Sequence, residues 1–167
     1  RAERLEACGE CAECLLSKAG THPDLHRLRI PDDRKSIGVD QVREVCEQLS
    51  MTSMRRGYRV AVIAPAEKMT PSAQNALLKT LEEPSPRTVL VLVTARPSAL
   101  LPTLRSRCQR IEVARPENSL ALCWLTETLG SVPPSRLLVV AGGSPLKALA
   151  LAPHFAGLEE QMAGLLE

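Results

Sequence analysis

Aromatic residues are almost missing from this chain, with one Trp, one Tyr and one Phe in 167 residues. A core must therefore be built from aliphatic side chains, and the stacking platforms on which single-stranded nucleic-acid binders rely are not available. An excess of charge is missing too: the formal net charge is +2, too small to mark an electrostatic nucleic-acid binder. No apolar run approaches the ~18 residues that a membrane-spanning helix requires. Neither a signal peptide nor a targeting segment is recognisable. No membrane partner is expected, and a reducing cytoplasm is the expected compartment.

The usual catalytic signatures are also lacking. There is no G-x-x-x-x-G-K-[ST], so the chain offers no phosphate cradle of its own. A nucleotide-hydrolysing frame places carboxylates for magnesium at the end of the strand before its long helix. Here that strand ends in Ala64-Pro65, neither of which has a metal-ligating side chain. No Ser/His/Asp or Cys/His pairing stands out. Glu82-Glu83 falls at a helix end, where carboxylates are usually solvated.

What is present is a frame of alternating elements. With 44% hydrophobic residues, the chain can bury the core of one α/β domain with a small appendage. Arg59–Ala64 and Thr88–Thr94 are short β-rich apolar runs without polar alternation, which predicts parallel strands covered on both faces. Between them Thr70 is placed to N-cap a helix opened by Pro71 and stopped by Pro84 and Pro86. Ala73, Ala76, Leu77 and Leu81 give that helix one apolar face. Strand, crossover helix and strand make a βαβ unit. It leads through Arg96-Pro97 to an exposed basic turn, Leu104-Arg105-Ser106-Arg107-Cys108-Gln109-Arg110, where the function is expected.

Upstream, the first 19 residues read as helical material interrupted by Cys8, Cys11 and Cys14 in C-x2-C-x2-C spacing. Two-residue spacers let neighbouring thiolates converge on one ion, and structural zinc takes four such ligands. His22, His26, Cys46 or a residue upstream of the chain could supply the fourth; an iron–sulfur cluster would use the same ligand type. His22 also reads as a hydrogen-bonded turn residue, and Cys46 as part of the apolar face Val39, Val42, Cys46, Leu49. A short strand is expected over Leu25–Ile30, a helix capped by Ser36 after it, and an exposed basic turn at Arg55-Arg56-Gly57. Beyond Cys108, a further short strand is expected at Ile111–Val113 and a hinge at Ala114–Pro116. The tail then predicts helices over Asn118–Leu129, Arg136–Ala141 (capped by Ser135), Leu146–Leu151 and Leu158–Leu166. This divides the chain into an α/β domain, 1–115, with a metal module at about 5–25, and a helical domain, 116–167.

The stretch APAEKMTPSAQNALLKTLEEPSPRTVLVLVTARPSALLPTLRSRC resembles the core of bacterial clamp-loader subunits of the AAA+ class. CGECAEC followed by AGTHPDLHRL is similar to their zinc module, and SIGVDQVREV to a helix of the same fold. The resemblance implies a partial AAA+ (RecA-like) parallel sheet with an inserted zinc module, followed by a helical lid. It implies that Ala64 and Pro65 stand where hydrolysing relatives carry Asp-Glu, Thr94 where they carry a polar sensor, and Leu146 where an active lid carries Arg. Arg107, in Ser106-Arg107-Cys108, matches an arginine finger acting in trans on a partner's ATP, with Ser106 and Cys108 as partner contacts. The implied role is that of a non-hydrolysing loader subunit of a replicative DNA-directed DNA polymerase (nucleotidyltransferase) holoenzyme. It would bind no ATP itself and would work with a neighbouring ATPase subunit, a clamp-opening subunit, the sliding clamp and primed DNA. The first strand, phosphate loop and fourth zinc cysteine are expected upstream of Arg1, and a collar domain after Glu167. Two alternatives stay open: a hydrolysing motor subunit with its phosphate loop truncated, and a zinc-stabilised DNA-binding module.

Overall fold

The computed structural model describes residues 7–55 and 57–155. The expected helical segments at 1–6 and 158–166, and the middle residue of the Arg55–Gly57 turn, lie outside the described residues.

The sheet has three parallel strands, β1 (Leu25–Leu28), β2 (Arg59–Ile63) and β3 (Thr88–Leu92), in the order β1-β2-β3. Leu25 stands opposite Val60, and Arg59 opposite Thr88. The strands form where the β-branched runs lie, because such side chains pack well on a pleated surface. Between β1 and β2 runs α2 (Val39–Ser50); between β2 and β3 run α3 (Pro71–Ala76) and α4 (Leu78–Glu82). The parallel sheet with flanking helices is as expected.

One face of the sheet makes the core. Ala61 and Ile63 of β2 and Leu28 of β1 are buried there against Val42, Val45 and Leu49 of α2 and Ala73 and Leu77 around α3. Cys46 packs against the same cluster, as its helical spacing implied. Each large aliphatic side chain fully removed from water contributes about 1.5–3 kcal/mol, and this core contains no aromatic residue.

Four local expectations are corrected. β3 is not covered on both faces: Val89, Val91 and, just after the strand, Val93 are 39–49% exposed. An unalternated apolar run tells that both faces of a strand are apolar, not that both are occupied. Ser36 does not cap α2. The cap position is Gly38, whose N–H donates to the Gln41 side chain at 3.0 Å. Ile37 is taken instead by a bridge to the loop before α3, donating to the Lys68 carbonyl and accepting from Thr70. The crossover helix is not continuous. Its axis tightens at Leu77, whose N–H donates to Gln74 three residues back. Ile111–Val113 is not a strand; Ile111 and Val113 are 80% and 90% exposed, and among the described residues no strand lies beside them.

The chain divides into two compact units after Arg110. The second is helical, with α6 (Asn118–Leu129), α7 (Ser135–Val140) and α8 (Pro145–Leu151), numbered after the short α5 (Pro102–Arg105) of the first unit. Its core gathers Ala121, Leu125, Leu137, Leu138, Ala141, Ala148 and Phe155. Ser144 caps α8 by accepting from the Lys147 N–H, and Gly130 ends α6 at φ 69°, the left-handed conformation that glycine adopts without strain.

Candidate functional site

The basic turn is built on a buried anchor. Pro97–Ala99 form a single 3-10 turn, and α5 then begins at Pro102, at the first helical position where proline's fixed φ and missing N–H cost nothing. Leu104 is fully buried in the core, and Gln74, itself buried, fixes the approach by accepting from the Leu101 N–H at 2.7 Å. Gln74 also donates to the Met69 carbonyl at 3.3 Å. One buried amide thus ties the start of α3 to the start of α5. With Leu104 turned inward, the next three residues are directed outward: Arg105, Ser106 and Arg107 are exposed, while Cys108 is half-buried.

Arg107 is exposed but not loose. Its Nη2 lies 2.6 Å from Glu82 Oε1, and its Nη1 donates to the Thr103 carbonyl at 2.8 Å. Ser106 donates to the same carbonyl at 3.1 Å. Burial pushes the Cys108 thiol up from its ordinary pKa, so it behaves as a packed, neutral thiol. Glu82 was not recognised in the sequence as a partner of Arg107. It is half exposed, as its helix-end position implied, but it faces the turn.

The residues that follow β2 and β3 include the other positions singled out in the sequence. Ala64-Pro65 follows β2 with no acidic side chain. The next carboxylate along the chain is Glu67. Burial works to raise its pKa, but hydrogen bonds from the Thr94 hydroxyl and the backbone N–H groups of Glu67 and Ala95 outweigh that and hold it low. Thr94 also accepts from the Arg96 N–H at 3.0 Å. Leu146 is 70% exposed at the start of α8.

At the other end of the sheet, Cys8, Cys11 and Cys14 come together, with ligand atoms all within 4.8 Å of one another. The Cys8 and Cys14 sulfurs are 3.8 Å apart. Four thiolates at ~2.3 Å from a tetrahedral zinc stand ~3.8 Å from one another, so the cluster fits the donor set and edge length of such a site. α1 (Ala12–Ala19) carries Cys14 on its first turn. N–H donors from Glu10 and then Cys11 lower the Cys8 pKa to about 7, favouring the thiolate that a metal needs. At Cys14 the Gly9 N–H is outweighed by the neighbouring thiols and burial, which raise the pKa. Among the described residues no fourth ligand joins them. His22 is committed elsewhere: it accepts from the Asp24 N–H at 3.1 Å through Nδ1 and meets Glu13 at 2.7 Å through Nε2. His26 and Cys46 are not in the cluster either.

Asp24 fastens this end together. Only 4% exposed, it accepts from the Ser53 hydroxyl at 2.8 Å, the Met54 N–H at 3.0 Å and the Arg55 N–H at 2.9 Å. Arg55 reaches on to Glu13 of α1 at 3.1 Å. The chain of contacts runs from β1 through the loop at 53–55 to the cysteine-bearing helix.

Comparison with known proteins gives a consistent answer. The sequence model of a family described as "DNA polymerase III, delta subunit" matches residues 1–117. The chain is 44% identical over 164 residues to DNA polymerase III subunit delta' of Pseudomonas aeruginosa, covering 96% of this chain and 49% of that protein. It therefore spans about half the length of this relative. Among solved structures, a DNA polymerase III gamma subunit-related protein of Thermotoga maritima aligns with TM-score 0.57 at 30% identity, covering 83% of this chain and 46% of that one. A mutant of RuvB from Thermotoga maritima aligns with TM-score 0.53 at 16% identity, covering 84% and 47%, a likeness of fold alone.

Proposed function

The chain belongs to the delta' family of DNA polymerase III subunits, a clamp-loader family, and on that premise we propose that it supplies Arg107 in trans to ATP held by a neighbouring ATPase subunit. It is read as a non-hydrolysing member that works with the other loader subunits to place the sliding clamp on primed DNA. The helical unit is the counterpart of a lid, with Leu146 where a nucleotide-touching Arg would be needed.

The observation that carries this reading is the presentation of Arg107. Its turn is fixed from inside by Leu104 and Gln74, while the guanidinium itself is at the surface. Phosphoryl transfer to water spreads negative charge over the transferred group, and a fixed cation stabilises that charge more than it stabilises the ground state. An arginine in this role contributes about 10³–10⁵ in rate, or about 4–7 kcal/mol of barrier. Its planar fork donates two hydrogen bonds to phosphate and stays charged, which a lysine cannot match.

The reading of no intrinsic hydrolysis is supported by the residues that follow β2 and β3. Ala64-Pro65 supplies no magnesium ligand, and the Thr94 hydroxyl is engaged locally by the Arg96 N–H. Cys8, Cys11 and Cys14 are read as ligands of a structural zinc whose fourth ligand is not among the described residues. Such an ion would fix the short α1 against β1, and no step of the reaction is assigned to it.

The test is a comparison of full-length subunits carrying Arg107, Ala or Lys at that position, each assembled with its partners and assayed for hydrolysis at the adjacent site. Ala and Lys should both be slow. Replacing Arg105 or Arg110 should matter less. A loader in which lysine restores the rate would contradict the fork argument.

A further inference from the structure

We propose that Glu82 is a positioning residue for Arg107, holding its guanidinium in the orientation in which it meets the partner's phosphate; this rests on the reading of Arg107 as a finger.

An arginine on an exposed turn has four side-chain torsions and samples many rotamers unless something holds its tip. Here two acceptors do so from different elements. Glu82 Oε1 takes Nη2 at 2.6 Å from the last residue of α4, and the Thr103 carbonyl takes Nη1 at 2.8 Å from within α5. Both supports are themselves anchored. Leu81, beside Glu82, packs on the core, and Leu104, beside Thr103, is buried in it. A guanidinium carries five N–H donors; these two contacts leave the remaining donors for phosphate oxygens.

The pair is a weak candidate for a stabilising role. Its side chains are 36% and 50% exposed, and exposed ion pairs between long side chains contribute little to folding. Its distance is nevertheless at the short end for a charge-assisted hydrogen bond. A short contact with little value for stability, made on the one arginine whose orientation matters, is what preorganisation requires.

The experiment uses the full-length subunit assembled with the other loader subunits, in single-turnover hydrolysis at the site next to Arg107. Glu82→Ala should slow hydrolysis by ~10-fold or more, a 1 Å misplacement being worth up to ~100-fold, while nucleotide affinity at that site changes little. Glu82→Gln, whose amide oxygen can accept from the same nitrogen, should recover most of the rate. In an Arg107→Ala background, Glu82→Ala should add nothing. A Glu82→Ala loader as fast as wild type, or faster, would overturn the proposal; a faster one would mean that Glu82 restrains Arg107. Slowing by Glu82→Ala that persists in the Arg107→Ala background would also overturn it, because the effect would then be structural. An unchanged rate in Arg107→Ala alone would remove the finger reading and this inference together, whereas a slow Arg107→Ala beside a normal Glu82→Ala would remove only this inference.

Discussion

Replacing Asp24 should test whether the cysteine-bearing end of the molecule is held as the geometry implies. The carboxylate is 4% exposed and accepts three hydrogen bonds, from Ser53, Met54 and Arg55. Hydrogen bonds to a charged group contribute about 1.5–3 kcal/mol each. In the variant, Met54 and Arg55 can turn their N–H groups to water, since both residues are exposed. The three contributions therefore do not sum in full, and Asp24→Ala should cost about 2–4 kcal/mol. At roughly 2–4 °C per kcal/mol for a domain of this size, melting should fall by about 4–16 °C. Burial would raise the Asp24 pKa, but the N–H groups of Met54 and Arg55 and the Ser53 hydroxyl outweigh it and hold it low. A carboxyl whose folded pKa lies below its unfolded value of about 3.9 contributes this stability above pH ~4 and loses it as pH falls through the folded pKa. The gap between wild type and Asp24→Asn, measured by urea denaturation, should thus be widest at neutral pH and narrow toward pH 3. A gap below ~0.5 kcal/mol at pH 7, the level of an ordinary surface change, or one that does not shrink in acid, would refute the reasoning.

Two further outcomes are expected from single substitutions. Leu104→Ala, at a fully buried position, should cost about 2–5 kcal/mol by denaturant unfolding and should also loosen the turn, lowering loader activity even where the subunit remains folded. Metal analysis of the full-length subunit should find about one zinc per chain, and Cys11→Ser should lose it; a wild-type subunit that is folded and free of metal would exclude the zinc reading.

Much of the fold was legible because local and global preferences agree. Pro71, Ala73 and Leu77 sit between two β-branched runs, and cap, apolar face and proline stop all point to a helical crossover, though not to its break at Leu77. The α6 bounds were readable for the same reason, with Gly130 as the end signal. Other features are set by tertiary neighbours. Ser36 has the right chemistry for a cap, but Ile37 is committed to the Lys68–Thr70 loop, and the helix starts after it. Ile111–Val113 has strand composition, but among the described residues no strand lies beside it. The outward face of β3 reads as covered because Val89, Val91 and Val93 are apolar, and sequence cannot say whether anything lies on them. At the candidate site, Arg107 stood out through its motif. Glu82 did not, because its partner is 25 positions away and a carboxylate at a helix end looks the same whether it faces water or an arginine. Asp24 was passed over likewise, since its three donors lie 29 to 31 positions ahead.

The central claim is that this chain acts on a neighbour's ATP through Arg107. Its most direct test is single-turnover hydrolysis at that one site, in the complete loader with the other sites disabled, comparing Arg107 with Arg107→Ala. The side chain is outside the core and its loss should leave the fold intact, so a change in rate reports on chemistry. The account predicts hydrolysis slower by about 10³-fold or more, with ATP binding at the site weakened far less. An unchanged rate would contradict it, and the turn at Ser106–Cys108 would then be structural only.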